Sequence, residues 1–236
     1  MTLQDEIIST VSHEMRTPLT SIRGFSQTLL SSWDKLDDEN KKRFIKIIEE
    51  QSNRMINLVE NILTVSKENS ETLVYKKADI NALIEKTVPL LAEKYKTHKF
   101  VFEKKGNSLF ARLDEDKFQQ IITNLLDNAG KYSEDNTEIT ILTELQGDFV
   151  LIKITDCGVG IKEEDFDKLF KKFSRLENHL TGKTQGNGLG LYITKTLVEK
   201  MRGEISVSSQ VNKGTEFILK FPVYNPEEVL KCSQEF

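Results

Sequence analysis

The sequence predicts an α+β protein: an N-terminal helical hairpin that forms a dimeric four-helix bundle, followed by an α/β sandwich. Two observations lead to this prediction. Apolar residues recur at three- and four-residue steps up to about residue 67, and short strand-like and helix-like segments alternate after about residue 70. Strands that cluster with few helices between them favour one mixed sheet with helices on one face. We therefore predict two domains, at 1–69 and 70–236.

Two long amphipathic helices are predicted in the first domain. The first runs from Leu3 to about Leu30. The second begins near Asp37 or Asp38, both suitable helix caps, and ends near Lys67. A lone hairpin cannot cover this much apolar surface, whereas two hairpins can pair into a four-helix bundle. We therefore expect a homodimer.

The second domain should contain seven strands and four helices. The strands are expected near Leu73–Lys77, Lys99–Glu103, Leu109–Leu113, Thr137–Glu144, Phe149–Asp156, Gly203–Ser209 and Thr215–Phe221. The helices are expected near Ile80–Lys96, Asp116–Lys131 and Gly190–Met201, with a short one at Glu163–Phe170. Residues from Lys171 to Gly188 are polar and carry no sustained period, which predicts a mobile loop.

Composition and charge exclude several classes of protein. The 33 basic and 37 acidic residues are interleaved, and no basic stripe with aromatic residues occurs, so nucleic acid is not an expected partner. No apolar run approaches the roughly 20 residues that span a bilayer, and Met1 is followed by polar residues. Cys157 and Cys232 have no metal-ligand spacing. These features predict a soluble, cytoplasmic chain.

His13 lies on the first predicted helix, nearly opposite its apolar face. Thr17 shares the exposed face one turn later, and Glu14 lies at its flank. A chance surface histidine is the simplest alternative. However, Pro18 lies inside the same apolar periodicity, where a proline costs about 3 kcal/mol because it removes a backbone hydrogen bond. A proline at that position favours a functional role for the segment.

Three further motifs suggest a phosphate or nucleotide site. Asn124, Asn128 and Lys131 share one face of a predicted helix, which is either an ordinary solvated face or a group that can hold Mg²⁺ and phosphate oxygens. Asp156 ends a predicted strand before two glycines, and its carboxylate can accept a hydrogen bond from an adenine amino group. Glycines also precede the last predicted helix, where backbone N–H groups can bind phosphate: Gly186, Gly188 and Gly190. The spacing matches neither the Rossmann fingerprint nor a P-loop.

Together these motifs resemble those of the sensor histidine kinases. The segment from Ser12 to Leu19 is similar to the phospho-acceptor box of that family. The later motifs, with Phe170 and Phe173 between the last two, look like its N, G1, F and G2 boxes. The resemblance covers almost the whole chain and implies that the second domain has the Bergerat (GHKL-type) fold of the GyrB-, Hsp90- and MutL-type ATPases.

The resemblance implies a role for each residue of the phospho-acceptor box. A ring nitrogen of His13 would attack the γ-phosphorus of ATP, with Glu14 as general base and Pro18 bending the helix near the site. The phosphoryl group would then pass to an aspartate in the receiver domain of a response regulator. Glu14 and Thr17 also match the family's acidic-x-x-threonine pattern, which implies phosphatase activity towards that regulator.

The resemblance also implies which residues bind ATP and Mg²⁺. Asn124 would coordinate Mg²⁺. Contacts with the adenine end of the nucleotide are implied for Tyr132, Asp156, Gly158 and Gly160. Contacts with the phosphates are implied for Asn128, Lys131, Gly186, Gly188, Gly190 and, at the γ-phosphate, Arg175, and Leu189 is implied as a further nucleotide-binding residue.

Two other classes of function remain open from the sequence: a clamp driven by ATP hydrolysis, and a dimeric scaffold that binds nucleotide without chemistry. Twelve residues precede His13 and contain no sensor or membrane span. We expect the cytoplasmic portion of a membrane-anchored kinase, with a soluble kinase that receives its signal from a separate protein as the alternative. His98, in a polar stretch before a strand, is expected to be a surface residue without a role.

Overall fold

The computed structural model describes residues 3–66, 72–176 and 186–225, with only the backbone described for residues 3–10. The chain divides into two compact units, Met1–Ser70 and Glu71–Phe236. In the described residues, the helices are α1 Leu3–Ser32, α2 Asp38–Ser66, α3 Ile80–Lys94, α4 Glu115–Tyr132, α5 Phe166–Leu169 and α6 Gly190–Lys200. The strands are β1 Lys76–Asp79, β2 Lys99–Lys105, β3 Phe110–Leu113, β4 Glu138–Gln146, β5 Phe149–Asp156, β6 Glu204–Gln210 and β7 Gly214–Pro222. None of the described helices is long and apolar enough to cross a membrane.

The first unit is a hairpin of α1 and α2, as predicted. A short 3₁₀-helix, Trp33–Lys35, lies between the two helices. Asp37 caps α2, because its Oδ1 accepts a hydrogen bond from the backbone N–H of Asn40 at 2.7 Å. Inside the hairpin, the rings of Phe25 and Phe44 lie 5.1 Å apart. The predicted helix bounds are therefore confirmed to within about two residues, except that Lys67 lies outside the described residues.

The second unit is built on a five-stranded mixed sheet with the strand order β2-β4-β5-β7-β6. The β2–β4 pair is parallel and the other neighbours are antiparallel. Alternate residues of β7, such as Phe217, Leu219 and Phe221, are buried. Phe221 meets Phe118 of α4 edge to face, with the ring centroids 5.7 Å apart. The predicted α+β layering, with helices packed on one face, is confirmed.

The prediction of a single sheet is wrong. β1 and β3 form a separate antiparallel pair, and β1 starts at Lys76 rather than near Leu73. The residues before Lys76 are held by side chains: Asp114 Oδ2 accepts from the N–H of Val74 at 2.8 Å, and the Tyr75 hydroxyl donates to the Lys200 carbonyl at 2.6 Å. These two contacts, rather than a ladder of paired strands, hold the residues before Lys76.

Candidate functional site

The first part of the candidate site is the exposed face of α1. His13 and Thr17 are exposed, whereas Pro18 is buried against the hairpin. The helix continues through Pro18. The Thr17 hydroxyl is directed at the carbonyl of His13, 3.4 Å away. The structure therefore presents the His13 imidazole to solvent, as the periodicity predicted.

Glu14 is held by an ion pair that the sequence did not reveal. The Arg54 guanidinium of α2 donates to Glu14 Oε2 at 3.1 Å, and both side chains are about one-fifth exposed, at 23% and 21%. Arg54 precedes Leu58, the buried residue of α2, by one turn. This spacing was the only feature of the sequence that indicated that Arg54 faces α1. One oxygen of the carboxylate beside His13 is thus already occupied by a cation.

The second part of the candidate site begins with α4. Asp114 caps this helix by accepting from the N–H of Lys117 at 3.1 Å. Asn124 and Asn128 are half-buried on the helix. The side-chain amide of Asn124 donates through Nδ2 to Thr194 Oγ1 of α6 at 2.8 Å. Sequence reasoning missed Thr194, although it lies one turn after Gly190 on the helix that the glycines open.

The arrangement of Asn124 suits a magnesium ligand. Because Nδ2 is used for Thr194, the carbonyl oxygen Oδ1 is available as a hard oxygen ligand, the kind that Mg²⁺ prefers. Oδ1 lies directly against Gly190, at a point where any side chain would overlap it. The first turn of α6 and the Asn124 oxygen are therefore next to each other, as a shared metal and phosphate site requires.

The prediction that His98 is a surface residue is wrong. Its ring is buried, with Nε2 3.0 Å from the carbonyl oxygen of Gly130 on α4. It also stacks on Tyr95, with the ring centroids 6.0 Å apart. Gly130 has no side chain, and a Cβ there would lie 2.8 Å from the Tyr95 ring. The space at Gly130 thus admits both rings beneath the C-terminal half of α4.

Asp156, at the end of β5, is a buried carboxylate whose two oxygens have different surroundings among the described residues. Oδ1 accepts from the N–H groups of Gly158 at 2.9 Å and Thr215 at 3.1 Å. Burial raises the pKa of Asp156 to about 6, although these two hydrogen bonds act in the opposite direction. Among the described residues, no group donates to Oδ2. That oxygen can accept a hydrogen bond from an adenine amino group.

The turn after β5 lies against the end of α4. The N–H of Val159 donates to the Tyr132 carbonyl at 3.1 Å, and Gly158 sits so close to that carbonyl that a side chain would overlap it. Gly160 has a φ of +66°, a conformation that glycine adopts freely, and packs on the backbone of Gln210. The structure therefore brings Tyr132, Asp156 and the two glycines together.

The glycines before α6 pack against the segment that carries the two phenylalanines. Gly188, with a φ of +68°, contacts the backbone of Phe173 and Ser174. Leu189 is buried, and Gly190 is the first residue of α6. Among the described residues, none lies close to where a side chain on Gly186 would project, and Arg175 is exposed.

Two cation–π contacts join the same segment to α6. Lys172 lies over Tyr192 at 4.6 Å, and Lys195 lies over Phe170 at 5.4 Å. Of the loop predicted over 171–188, residues 177–185 lie outside the described residues.

Two family models match the chain. The model of the His Kinase A (phospho-acceptor) domain matches residues 3–71. The model of the histidine kinase-, DNA gyrase B- and HSP90-like ATPase matches residues 113–225. The first matched region contains the exposed face of α1 with His13. The second contains Asn124, Asp156 and Gly190.

Two curated relatives are similar over most of the chain, and both are described as signal transduction histidine-protein kinase ArlS. That of Staphylococcus haemolyticus is 33% identical over 220 residues, which cover 92% of this chain and 48% of that protein. That of Staphylococcus epidermidis is 32% identical over 224 residues, which cover 94% of this chain and 49% of that protein. The chain spans about half the length of the curated relatives it matches.

Solved structures show the same similarity. Histidine kinase AdeS of Acinetobacter baumannii has a TM-score of 0.69 and 29% identity, and the match covers 90% of this chain and 98% of that one. Histidine kinase ThkA, solved in complex with the response regulator protein TrrA, has a TM-score of 0.72 and 26% identity, with 94% of this chain and 62% of that one covered. Both the hairpin and the sandwich therefore have counterparts among solved kinases.

Proposed function

The chain belongs to the sensor histidine kinases, and on that basis we propose that it transfers the γ-phosphoryl group of ATP to His13 and then to an aspartate of a response regulator. Its second unit has the Bergerat (GHKL-type) fold. We assign dimerisation and phosphotransfer to residues 1–69 and ATP binding to residues 70–236. The observation that carries the proposal is the presence, in one chain, of an exposed histidine followed in the sequence by a carboxylate that Arg54 holds, and of a buried Asp156 whose Oδ2 accepts from none of the described residues.

In the first step, His13 attacks the γ-phosphorus with the ring nitrogen that carries no proton. A P–N bond forms, the bond to the β–γ bridging oxygen breaks, and ADP leaves. Glu14 accepts the proton of the other ring nitrogen, and its ion pair with Arg54 fixes the carboxylate for that purpose. In the second step, a carboxylate oxygen of the regulator's aspartate attacks the phosphorus, the P–N bond breaks, and His13 leaves as the neutral imidazole because its other ring nitrogen takes the proton back from Glu14.

In this proposal, the nucleotide is oriented by residues at both of its ends. Asp156 Oδ2 accepts from the adenine amino group, and Tyr132, Gly158 and Gly160 form the surrounding wall. Asn124 would hold Mg²⁺ through Oδ1, and the ion would supply charge neutralisation at the phosphate oxygens. The remaining residues assigned to the phosphates are Asn128, Lys131, Arg175, Gly186, Gly188 and Gly190, and Leu189 is a further nucleotide-binding residue. Positioning and charge neutralisation supply most of the acceleration.

Dimerisation, the regulator and the cellular location complete the proposal. The hairpin exposes apolar side chains of α2, including Ile56 and Leu63, which a second copy would cover. The response regulator is proposed as partner because the similar kinase ThkA was solved with one. Glu14 and Thr17 are assigned a second role in dephosphorylating the regulator. We place this part of the protein in the cytoplasm, where ATP and such a regulator are available.

The decisive test is incubation with γ-labelled ATP and Mg²⁺, comparing the wild-type chain with His13→Gln. We expect an acid-labile label on the wild type, since a phosphoramidate hydrolyses in acid, and no label on the variant. Gln27→Ala, at an exposed position of the same helix, serves as the matched control and should be labelled like the wild type. A label that persists in His13→Gln would contradict the assignment of His13.

The same experiment separates the rival functions. A wild-type chain that binds ATP without becoming labelled would favour a nucleotide-binding scaffold. Release of inorganic phosphate without any labelled protein would favour a clamp-type ATPase.

A further inference from the structure

A carboxylate that the proposed mechanism does not use lies in the C-terminal half of α4. Asp127 directly precedes Asn128, and its side chain is only 16% exposed. The Tyr95 hydroxyl donates to Oδ1 at 2.7 Å, and the Lys94 ammonium donates to the same oxygen at 2.5 Å. The Lys131 ammonium pairs with the other oxygen, Oδ2. Two residues from the end of α3 therefore hold one side of this carboxylate, and a residue assigned to the phosphates occupies the other.

The carboxylate is fixed by its surroundings. Burial raises the pKa of Asp127, but the ammonium groups of Lys131 and Lys94 and the Tyr95 hydroxyl outweigh burial, so the pKa is lowered overall and the group is charged at neutral pH. Tyr95 in turn is wedged between the His98 ring and Gly130. Burial, followed by the charge of Asp127, raises the pKa of Tyr95, which keeps its hydroxyl a hydrogen-bond donor.

Lys131 gains a defined position from this contact. A free lysine side chain samples many rotamers, and part of that conformational entropy is lost when the ammonium group binds a ligand. Here the ammonium group is already held one turn from Asp127, while the side chain remains 27% exposed. An ammonium group has three donors, so one can remain on Asp127 while the others reach phosphate oxygens.

We propose that Asp127 is a positioning residue, which holds the Lys131 ammonium ready for the nucleotide's phosphates and is itself held by Tyr95 and Lys94. The inference rests on the proposed function, because the phosphate-binding role of Lys131 is part of it. Its consequence is selective: the contact favours nucleotides that carry phosphates and contributes nothing to the binding of the nucleoside. A merely structural role for Asp127 would affect both ligands equally.

The test measures the affinity of Asp127→Asn for ATP by calorimetry and for adenosine by NMR titration. We expect ATP to bind roughly 2- to 10-fold more weakly, the effect of losing one pre-ordered side chain, while adenosine binding is unchanged. Tyr95→Phe should show a smaller loss of the same kind. Glu144→Gln is the matched control, because Glu144 also accepts from two lysines, Lys105 at 3.0 Å and Lys153 at 3.5 Å, but lies on β4. Its affinities should equal those of the wild type.

A double-mutant cycle shows whether Asp127 acts through Lys131. In the background of Lys131→Met, the change Asp127→Asn should produce no further loss of ATP affinity. Equal losses for ATP and adenosine, or a full further loss in the Lys131→Met background, would overturn the inference. If Asp127→Asn does not fold, Tyr95→Phe decides: unchanged ATP binding in that variant overturns the inference, and a selective loss supports it.

The wild-type measurement separates this inference from the proposed function. A wild-type chain that binds neither ligand would overturn both. A wild-type chain that binds ATP no more tightly than Asp127→Asn does would overturn the positioning role of Asp127 alone.

Discussion

The two units of the chain cover their apolar residues to very different extents. In the described part of the hairpin, Leu29 and Leu58 are the apolar side chains that are buried besides Pro18. In the sandwich, α4 alone buries Phe118, Ile121, Ile122, Leu125 and Leu126. The hairpin instead leaves large apolar residues exposed: Leu19, Leu30, Ile45, Ile56, Val59 and Leu63. The sandwich therefore completes its own core, whereas the hairpin needs a further surface.

The exposed apolar residues of α2 form a second face of that helix. At 100° per residue, Ile45, Ile56, Val59 and Leu63 fall within about 60° of one another, and Leu58 lies about 140° away from their centre. On α1, Leu19 and Leu30 likewise share a direction, from which His13 is separated by about 120°. A second hairpin on these stripes would thus leave His13, the proposed phospho-acceptor, accessible.

Truncation of the sandwich core should have the largest effect. Phe118 is fully buried against Phe221, so Phe118→Ala should lower the free energy of unfolding by about 3–5 kcal/mol. The chain's single tryptophan, Trp33, lies in the hairpin, so its fluorescence reports that unit while circular dichroism reports both. The sandwich of the variant should unfold at a lower urea concentration than in the wild type. The transition that Trp33 fluorescence reports should stay at the wild-type urea concentration. Equal shifts of both signals would instead mean that the two units unfold as one.

The stability of the sandwich should also depend on pH. Because burial raises the pKa of Asp156 from 3.8 to about 6, the folded state holds a proton between about pH 4 and pH 6 that the unfolded state has lost. The free energy of unfolding should therefore fall by about 2–3 kcal/mol as the pH rises through this window. The measurement is urea unfolding of the wild type and Asp156→Asn from pH 4 to pH 7, and the variant should lack this fall. An identical pH dependence in both proteins would contradict the prediction.

A charged side chain introduced on the exposed apolar face of α2 tests whether a second copy of the chain covers that face. Ile56 is 55% exposed in one chain, so Ile56→Glu should change an isolated hairpin by no more than about 0.5 kcal/mol. In a four-helix bundle the same change buries an unpaired charge, at a cost of several kcal/mol, and should convert dimers to monomers in analytical ultracentrifugation. Val211→Glu, also at an exposed apolar position but in the sandwich, is the control and should not alter the mass. A dimer that survives Ile56→Glu would place the interface elsewhere.

The sequence predicted what depends on local spacing. Helical periodicity located α1 and α2, alternation located β5 to the residue, and motif spacing identified Asp156 and Gly158 as neighbours. The structure added contacts between residues far apart in the chain, which periodicity does not encode. Glu14 and Arg54 are 40 residues apart, as are Val74 and Asp114, and Asn124 and Thr194 are 70 apart.

The separate β1–β3 sheet and the burial of His98 both depend on residues that are far away in the sequence. The first depends on anchors at Asp114 and Lys200, and the second depends on the space beside Gly130. In both cases the decisive partner lies at least 32 residues away in the chain. Local propensity therefore described the elements well but not the side chains that join them.

The smallest expected effect on stability concerns the Glu14–Arg54 ion pair, which links the two helices of the hairpin next to His13 in the sequence. A partly exposed ion pair such as Glu14–Arg54 contributes at most about 1 kcal/mol, so Arg54→Met should hardly move the Trp33 transition. It should nevertheless slow the labelling of His13 by roughly tenfold at saturating ATP, because the Glu14 carboxylate loses its fixed orientation. Arg43→Met, at an exposed position of the same helix, should label at the wild-type rate. If Arg54→Met also labels at that rate, the ion pair stabilises the hairpin and has no part in orienting Glu14.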